Sequence, residues 1–327
     1  MKKPNIIFMG TPDFSAVILR ALCEADASVL AVVTQPDKPQ GRKMKLTPSP
    51  VKVLSESLGI PVLQPNRVRS QAFISTLKAL SPDLIITAAY GKILPKGILD
   101  IPKYGCLNVH GSILPKYRGA APVQWAILNG EKISGITIMK MDEGMDTGDI
   151  LSEKKVDIPL SMNANALMTL LSEEGARLLL STIPSYIEGE MKPVLQEESL
   201  ATYAPMIEKE QGLIDWEKDA IHIHNQVRGL SMWPGTHTFF AGGRLKIIAS
   251  SPVENALTLL QNYSEIHGVP EAGTVIDSAS GKLLVACGNE TALALLHLQL
   301  PSGKRLLAKD CAHNFHVGTK FFSEALS

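Results

Sequence analysis

Two hydrogen-bonding side chains stand two residues apart in Leu107-Asn108-Val109-His110-Gly111-Ser112, at the end of a short apolar run and just before a glycine. In a strand, side chains alternate between faces, so Asn108 and His110 point to the same side. An amide NH₂ beside an imidazole is suited to hydrogen-bonding a carbonyl oxygen as it gains charge. A structural Asn–His pair closing a strand end has the same spacing, and spacing alone leaves both readings open. The run Asp142-Glu143-Gly144-Met145-Asp146-Thr147-Gly148-Asp149 is acidic and glycine-flanked. A carboxylate from this loop, reaching His110 across the strand ends, would orient the ring and stabilise its cationic form. A solvated turn or a helix cap is the plainer alternative.

Other chemistries are poorly written. The acidic loop lacks the EF-hand spacing and its terminal Glu, which argues against calcium. No second His or Cys accompanies His110 at ligand spacing, and Asn is a poor zinc ligand, so no metal is expected. Ser112 sits in H-G-S-I-L-P, not in the G-x-S-x-G of a nucleophile elbow. His222 and His224 fall on different faces of an expected helix and make a poor metal pair; with Trp233 they read as packing and capping residues. Gly10-Thr11-Pro12-Asp13-Phe14 follows a strand but lacks G-x-G-x-x-G, so no nicotinamide cofactor is expected.

The elements that would carry these residues alternate. Ile6–Met9 reads as a strand, Gly10 as a turn and Thr11 as a cap. Phe14, Val17, Ile18, Ala21 and Leu22 then form one apolar helix face. Further strands are expected at 29–34, 61–63, 84–88, 106–110 and 135–141, with helices near 51–58, 71–80, 123–129 and 164–187. This pattern implies an α/β, Rossmann-like, mostly parallel sheet with helices on both faces, whose ligands sit at the carboxyl ends of the strands. Five short strand candidates, at 236–240, 245–250, 273–277, 283–287 and 292–298, suggest a small OB-like β-barrel after it. The expected division is a catalytic domain over 1–189, a polar linker over 190–206 and a second domain over 207–327.

The 327 residues suffice for two domains, and an apolar fraction of 45% leaves ample core. Lys+Arg and Asp+Glu balance at 32 each, so any basic surface must be local. One candidate is the insert holding Lys38, Arg42, Lys43 and Lys45, a loop suited to phosphate contact or equally to solvent. Residues 201–327 hold ten Lys/Arg against twelve Asp/Glu. A nucleic-acid surface there would need Arg228, Arg244, Lys246, Lys304 and Arg305 to gather on one face. Cys23, Cys106, Cys287 and Cys311 are scattered, without a C-x-x-C pair, and read as buried apolar residues or free thiols. The opening Met1–Met9 is too short in apolar residues for a secretory core or membrane span, so a cytoplasmic location without membrane association is expected.

Asn108-Val109-His110-Gly111-Ser112-Ile113-Leu114-Pro115, with Tyr117-Arg118-Gly119-Ala120-Ala121-Pro122 after it and Met145-Asp146-Thr147-Gly148 further on, closely resembles the signature of the folate-dependent formyltransferases. Several runs look like the methionyl-tRNA formyltransferase branch of that family: Gly10–Phe14, Thr34-Gln35-Pro36-Asp37, Pro48–Lys52, Ala89-Tyr90-Gly91, Ile214-Asp215-Trp216 and Trp233-Pro234-Gly235. Lys116-Tyr117 departs from the Arg-Trp expected in some relatives, with basic and aromatic character kept. The resemblance implies catalytic Asn108, His110 and Asp146, and 10-formyltetrahydrofolate as formyl donor. It implies a folate pocket from Ala89, Tyr90, Gly91, Ser112, Ile113, Leu114, Pro115 and Asp142. It also implies initiator methionyl-tRNA as acceptor, touched by Arg42 with Lys43 and Lys45 beside it. A monomer is expected.

Overall fold

The computed structural model describes residues 3–40, 44–241, 243–301 and 303–324. By internal contacts the chain forms two compact units. One comprises Met1–Pro122, Ile133–Asp157 and Met168–Pro205, and the other Val123–Lys132, Ile158–Leu167 and Met206–Ser327.

The first unit is built on a seven-stranded sheet. Its order across the sheet is Ile150–Asp157, Ile133–Lys140, Cys106–His110, Leu84–Ala88, Asn5–Gly10, Ser28–Val33 and Val62–Leu63. The last five of these run parallel. Their runs of Ile, Leu and Val are what a sheet covered on both faces demands, and Ile6–Met9 and Leu84–Ala88 are buried throughout. Ile133–Lys140 is antiparallel to both of its neighbours, Cys106–His110 and Ile150–Asp157, a difference from uniform βα alternation.

Local chemistry explains the helices of this unit. Asp13–Glu24 buries Phe14, Ile18, Leu19 and Leu22 on one face. Thr11 is not its cap: the position belongs to Pro12, and Ser15 Oγ reaches back to accept from the Thr11 amide at 3.2 Å. Ser15 Oγ also donates to the Ala88 carbonyl, tying the helix to the neighbouring strand end. A Cβ on Gly10 would press on Ser15, so this approach requires glycine. Ser49 and Ser70 cap Pro50–Ser57 and Gln71–Leu80 by accepting from the third residue on.

The second unit holds a six-stranded antiparallel sheet. Its path is Thr236–Phe240, Gly243–Pro252, Thr291–Gln299, Leu284–Cys287 and Val275–Asp277, with Arg305–Leu307 also paired to Thr291–Gln299. Ala220–Gly229 packs on it around Trp216, Phe315 and Phe321. A helix over Ala256–His267, not anticipated from the sequence, covers a smaller cluster with Ile276, Leu284 and Ala292. Among the described residues no helix is long and apolar enough to cross a membrane.

Candidate active site

Asn108 and His110 do share a side of their strand, and the acid that joins them is Asp146. Oδ1 of Asp146 lies 3.4 Å from the Asn108 amide nitrogen, and Oδ2 lies 3.6 Å from His110 Nδ1. The His110 side chain is 6% exposed and that of Asp146 is 16%, so the pair is shielded yet reachable from outside. Low dielectric strengthens such contacts relative to water.

The route of the acid differs from an approach across parallel strand ends. Because Ile133–Lys140 is antiparallel to Cys106–His110, it ends opposite Leu107, and Met141 N bonds the Cys106 carbonyl. The loop then turns back, and Asp146 reaches Asn108 and His110 from a left-handed backbone conformation with φ of +57°. A non-glycine residue held there costs about 1 kcal/mol or more, and persists where surrounding bonds determine it. The Gly119 amide donates to Asp146 Oδ2 at 2.8 Å, and Gln196 Nε2 donates to the Asp146 carbonyl at 2.8 Å.

Partners orient the other two groups. Thr87 Oγ1 donates to Asn108 Oδ1 at 2.8 Å, and the Asp146 carboxylate, which only accepts, takes the NH₂ end of the amide. His110 Nε2 faces the Tyr117 carbonyl at 3.0 Å. Both ring nitrogens therefore face acceptor oxygens, and a ring carrying two N–H groups is satisfied on each side. Burial pushes the Cys106 thiol up to about 12, so the cysteine at the foot of this strand is a packing residue and not a nucleophile.

The residues expected to hold folate fall on three segments around this group. Ala89, Tyr90 and Gly91 turn directly off the strand whose Thr87 is paired with Asn108. Ala89 and Gly91 have positive φ and are exposed, while Tyr90 is buried and its phenol is pushed up to about 12 by burial. Ser112 and Leu114 are buried, and Ile113 and Pro115 are half-buried. Ser112 Oγ donates to the Lys116 carbonyl and its own carbonyl accepts from Thr137, so this serine shapes the loop and presents no free hydroxyl. Asp142 is exposed and accepts from Gly144 N and Thr147 Oγ1, closing the acidic loop on itself.

Within the basic insert Lys38–Gln40 pairs antiparallel with Lys45–Thr47, and both Lys38 and Lys45 are exposed. Arg42 and Lys43 lie outside the described residues. Gln35, before these strands, donates to the Tyr90 carbonyl at 2.9 Å and accepts from Lys38, which links the insert to the Ala89–Gly91 turn.

In the second unit, strand pairing sets His237 opposite Lys246, Lys246 opposite Gln299 and Gln299 opposite Arg305. Phe239 opposite Arg244 continues the same face. The intervening Leu245 and Ile247 are buried, while Arg244, Lys246 and Arg305 are exposed, so the charges point away from the core. These four strands contain no Asp or Glu. A face of positive charge thus exists within a unit whose total charge hides it. Arg228 is not part of it. This arginine is buried and donates to Asn225 and to the Pro159 and Met162 carbonyls. His224 is a packing residue, bonded to Ser250 and the Leu160 carbonyl, whereas Trp233 is 52% exposed and not the packing residue expected.

The chain matches the Formyl transferase family over residues 2–183 and the Formyl transferase C-terminal domain over residues 206–316. It belongs to the formyl transferase family. The methionyl-tRNA formyltransferase of Bacillus subtilis (strain 168) is 48% identical over 313 residues, covering 96% of this chain and 95% of the relative. That of Halalkalibacterium halodurans is 48% identical over 310 residues, covering 94% and 93%. Among solved structures, the sugar 3N-formyl transferase WlaRD, determined with dTDP and 5-N-formyl-THF, shares the fold with a TM-score of 0.65 at 18% identity. It covers 90% of this formyl transferase and 98% of its own chain.

Proposed function

We propose that this formyl transferase moves the formyl group of 10-formyltetrahydrofolate onto the α-amino group of initiator methionyl-tRNA, yielding N-formylmethionyl-tRNA and tetrahydrofolate. The reading places it in the cytoplasm, acting as a monomer. The observation that carries it is the convergence of Asn108, His110 and Asp146 within 3.4 and 3.6 Å, in a chain of this family. Near-full-length identity of 48% to methionyl-tRNA formyltransferases supports the choice of acceptor.

In this reading the uncharged amine of the esterified methionine attacks the formyl carbon. A carbon–nitrogen bond forms, the carbonyl oxygen becomes an oxyanion, and the bond from carbon to N10 then breaks. The Asn108 NH₂ donates to the oxyanion, and the His110 ring becomes the second donor when its Nε2–H turns from the Tyr117 carbonyl to the substrate. Asp146 orients the ring and takes the proton that the amine loses, which a water carries to N10 as it leaves. Holding donor and acceptor together supplies much of the remaining acceleration. The Ala89–Gly91 turn, the 112–115 run and the Asp142–Asp146 loop form the folate-binding rim, with Asp142 and the loop backbone as its polar part.

We read residues 1–189 as catalytic and 207–327 as an OB-type domain that holds RNA, joined through 190–206. Arg42, Lys43 and Lys45 of the insert, and Arg244, Lys246 and Arg305 of the second unit, are the phosphate-contacting cations. A formyl-transfer assay with 10-formyltetrahydrofolate, offering charged initiator tRNA, charged elongator tRNA and an amino sugar nucleotide in parallel, tests the reading. Transfer confined to the initiator tRNA is expected. Transfer to the sugar alone would replace the acceptor, and none to any acceptor would remove the function.

A further inference from the structure

Residues 194–204 touch both halves of the active site. At one end, Val194 and Ile150 exchange backbone hydrogen bonds at 2.8 Å, beside the loop that carries Asp146. At the other end, Thr202 Oγ1 accepts from the Tyr117 amide at 2.9 Å. Tyr203–Ala204 then pairs with Arg118–Gly119 as a parallel two-stranded ladder. The two oxygens that flank the His110 ring, Asp146 Oδ2 and the Tyr117 carbonyl, are thus held by one continuous piece of chain.

Between these anchors stands Gln196. Its Nε2 donates to the Asp146 carbonyl at 2.8 Å and to the Gly148 carbonyl at 2.6 Å. Its Oε1 accepts from Arg118 Nε at 3.0 Å and Nη2 at 2.9 Å. A guanidinium can only donate, so Arg118 fixes which end of the amide is oxygen and aims the NH₂ at the loop. Arg118 is 1% exposed, and its remaining fork arm pairs with Glu198 at 2.9 Å. A buried cation with each of its three nitrogens engaged is a stiff support, because losing a partner would leave part of it unpaired. Both carbonyls that Gln196 holds lie in the turn where Asp146 takes its positive φ.

We infer that Gln196, oriented by Arg118 and Glu198, is a positioning residue for formyl transfer: it fixes the strained turn that aims Asp146 at His110 and Asn108, without touching either substrate. The inference rests on the reading of Asp146 as an acting group. It makes residues 190–206 part of the catalytic machinery as well as a connection. A sequence pattern does not reveal this, because one Gln in a polar stretch looks like any solvated side chain.

The test is steady-state kinetics on the full-length chain with both substrates varied, for Gln196→Met, Gln196→Ala, Asp146→Asn and the double variant Gln196→Met/Asp146→Asn. The two Gln196 variants should lose about tenfold or more in kcat, with KM for folate and for tRNA within about twofold of wild type. The double variant should be no slower than Asp146→Asn alone, because nothing is left to aim. Wild-type kcat in Gln196→Met, raised KM with unchanged kcat, or multiplying losses in the double variant would each overturn the inference while leaving the site in place. Undiminished turnover in Asp146→Asn would overturn both. If Gln196→Ala fails to fold, the volume-preserving Gln196→Met carries the comparison.

Discussion

The hydroxyl of Thr87 donates to Oδ1 of Asn108 at 2.8 Å and, with the acceptor-only carboxylate of Asp146 at the other end, orients the amide at the reaction centre. With the oxygen engaged, the NH₂ is directed toward Asp146 Oδ1 and the space beside it. Thr87→Val keeps the shape and removes the donor. An amide free to flip loses about one net hydrogen bond of orientation, near 1 kcal/mol, so kcat should fall about five- to tenfold. KM for both substrates should stay near wild type, and Thr87→Ser should restore most of the rate. Steady-state kinetics on the three proteins decides it. Equal losses in Val and Ser variants would show that packing, not donation, matters at this position.

The basic face of the second unit should act on RNA alone. Replacing Arg244, Lys246 and Arg305 together by Ala should raise KM for charged tRNA about tenfold or more and leave the folate KM unchanged. The dependence of log KM on log salt should flatten by about 2–3, roughly 0.7–0.9 per lost phosphate contact. A titration between low and physiological salt reads both quantities. Lys282→Ala, an exposed lysine elsewhere in this unit, serves as the control and should change neither. An unaltered slope in the triple variant would remove this face from RNA binding.

Stability should fall on mild acidification. Burial holds the His224 ring below its usual range, and the Leu160 and Ser250 contacts only partly oppose this. Burial, then the nearby Arg244, Lys209 and Lys246, lowers His237 too. In both, the unfolded chain takes up the proton first. Their contribution is complete above the unfolded imidazole value of about 6.5 and is lost as pH drops through that value toward the lowered folded one. Thermal unfolding at pH 7.5 and pH 5.5 should show a lower Tm at pH 5.5, with a smaller difference in His224→Gln. A Tm that rises on acidification would contradict the assignment.

The fold was legible where residue type and local geometry coincide. Buried runs such as Leu84–Ala88, the shared face of Asn108 and His110, and the strand over Thr236–Phe240 follow from period and composition. Other features depend on contacts between distant segments. The antiparallel turn at Lys140 changes the direction from which Asp146 arrives, and no local pattern marks strand polarity. Ser15 displaces Thr11 as partner of the helix start because it also meets the Ala88 carbonyl. The basic rung is assembled from residues on four strands, and its paired neighbours Lys246 and Gln299 are 53 residues apart in the chain. Thr87 and Gln196 were invisible as site residues because their role lies in what they bond, and a lone Thr in a strand or Gln in a loop carries no spacing signal.

The central claim is that the Asp146 carboxylate acts on the chemical step. Single-turnover formyl transfer by Asp146→Asn, with both substrates saturating, tests it most directly. The amide keeps the size of the side chain but cannot accept a proton. The account predicts a rate lower by about 10²–10⁴ with the folate dissociation constant unchanged. A rate near wild type would contradict it, whatever the distances between Asn108, His110 and Asp146.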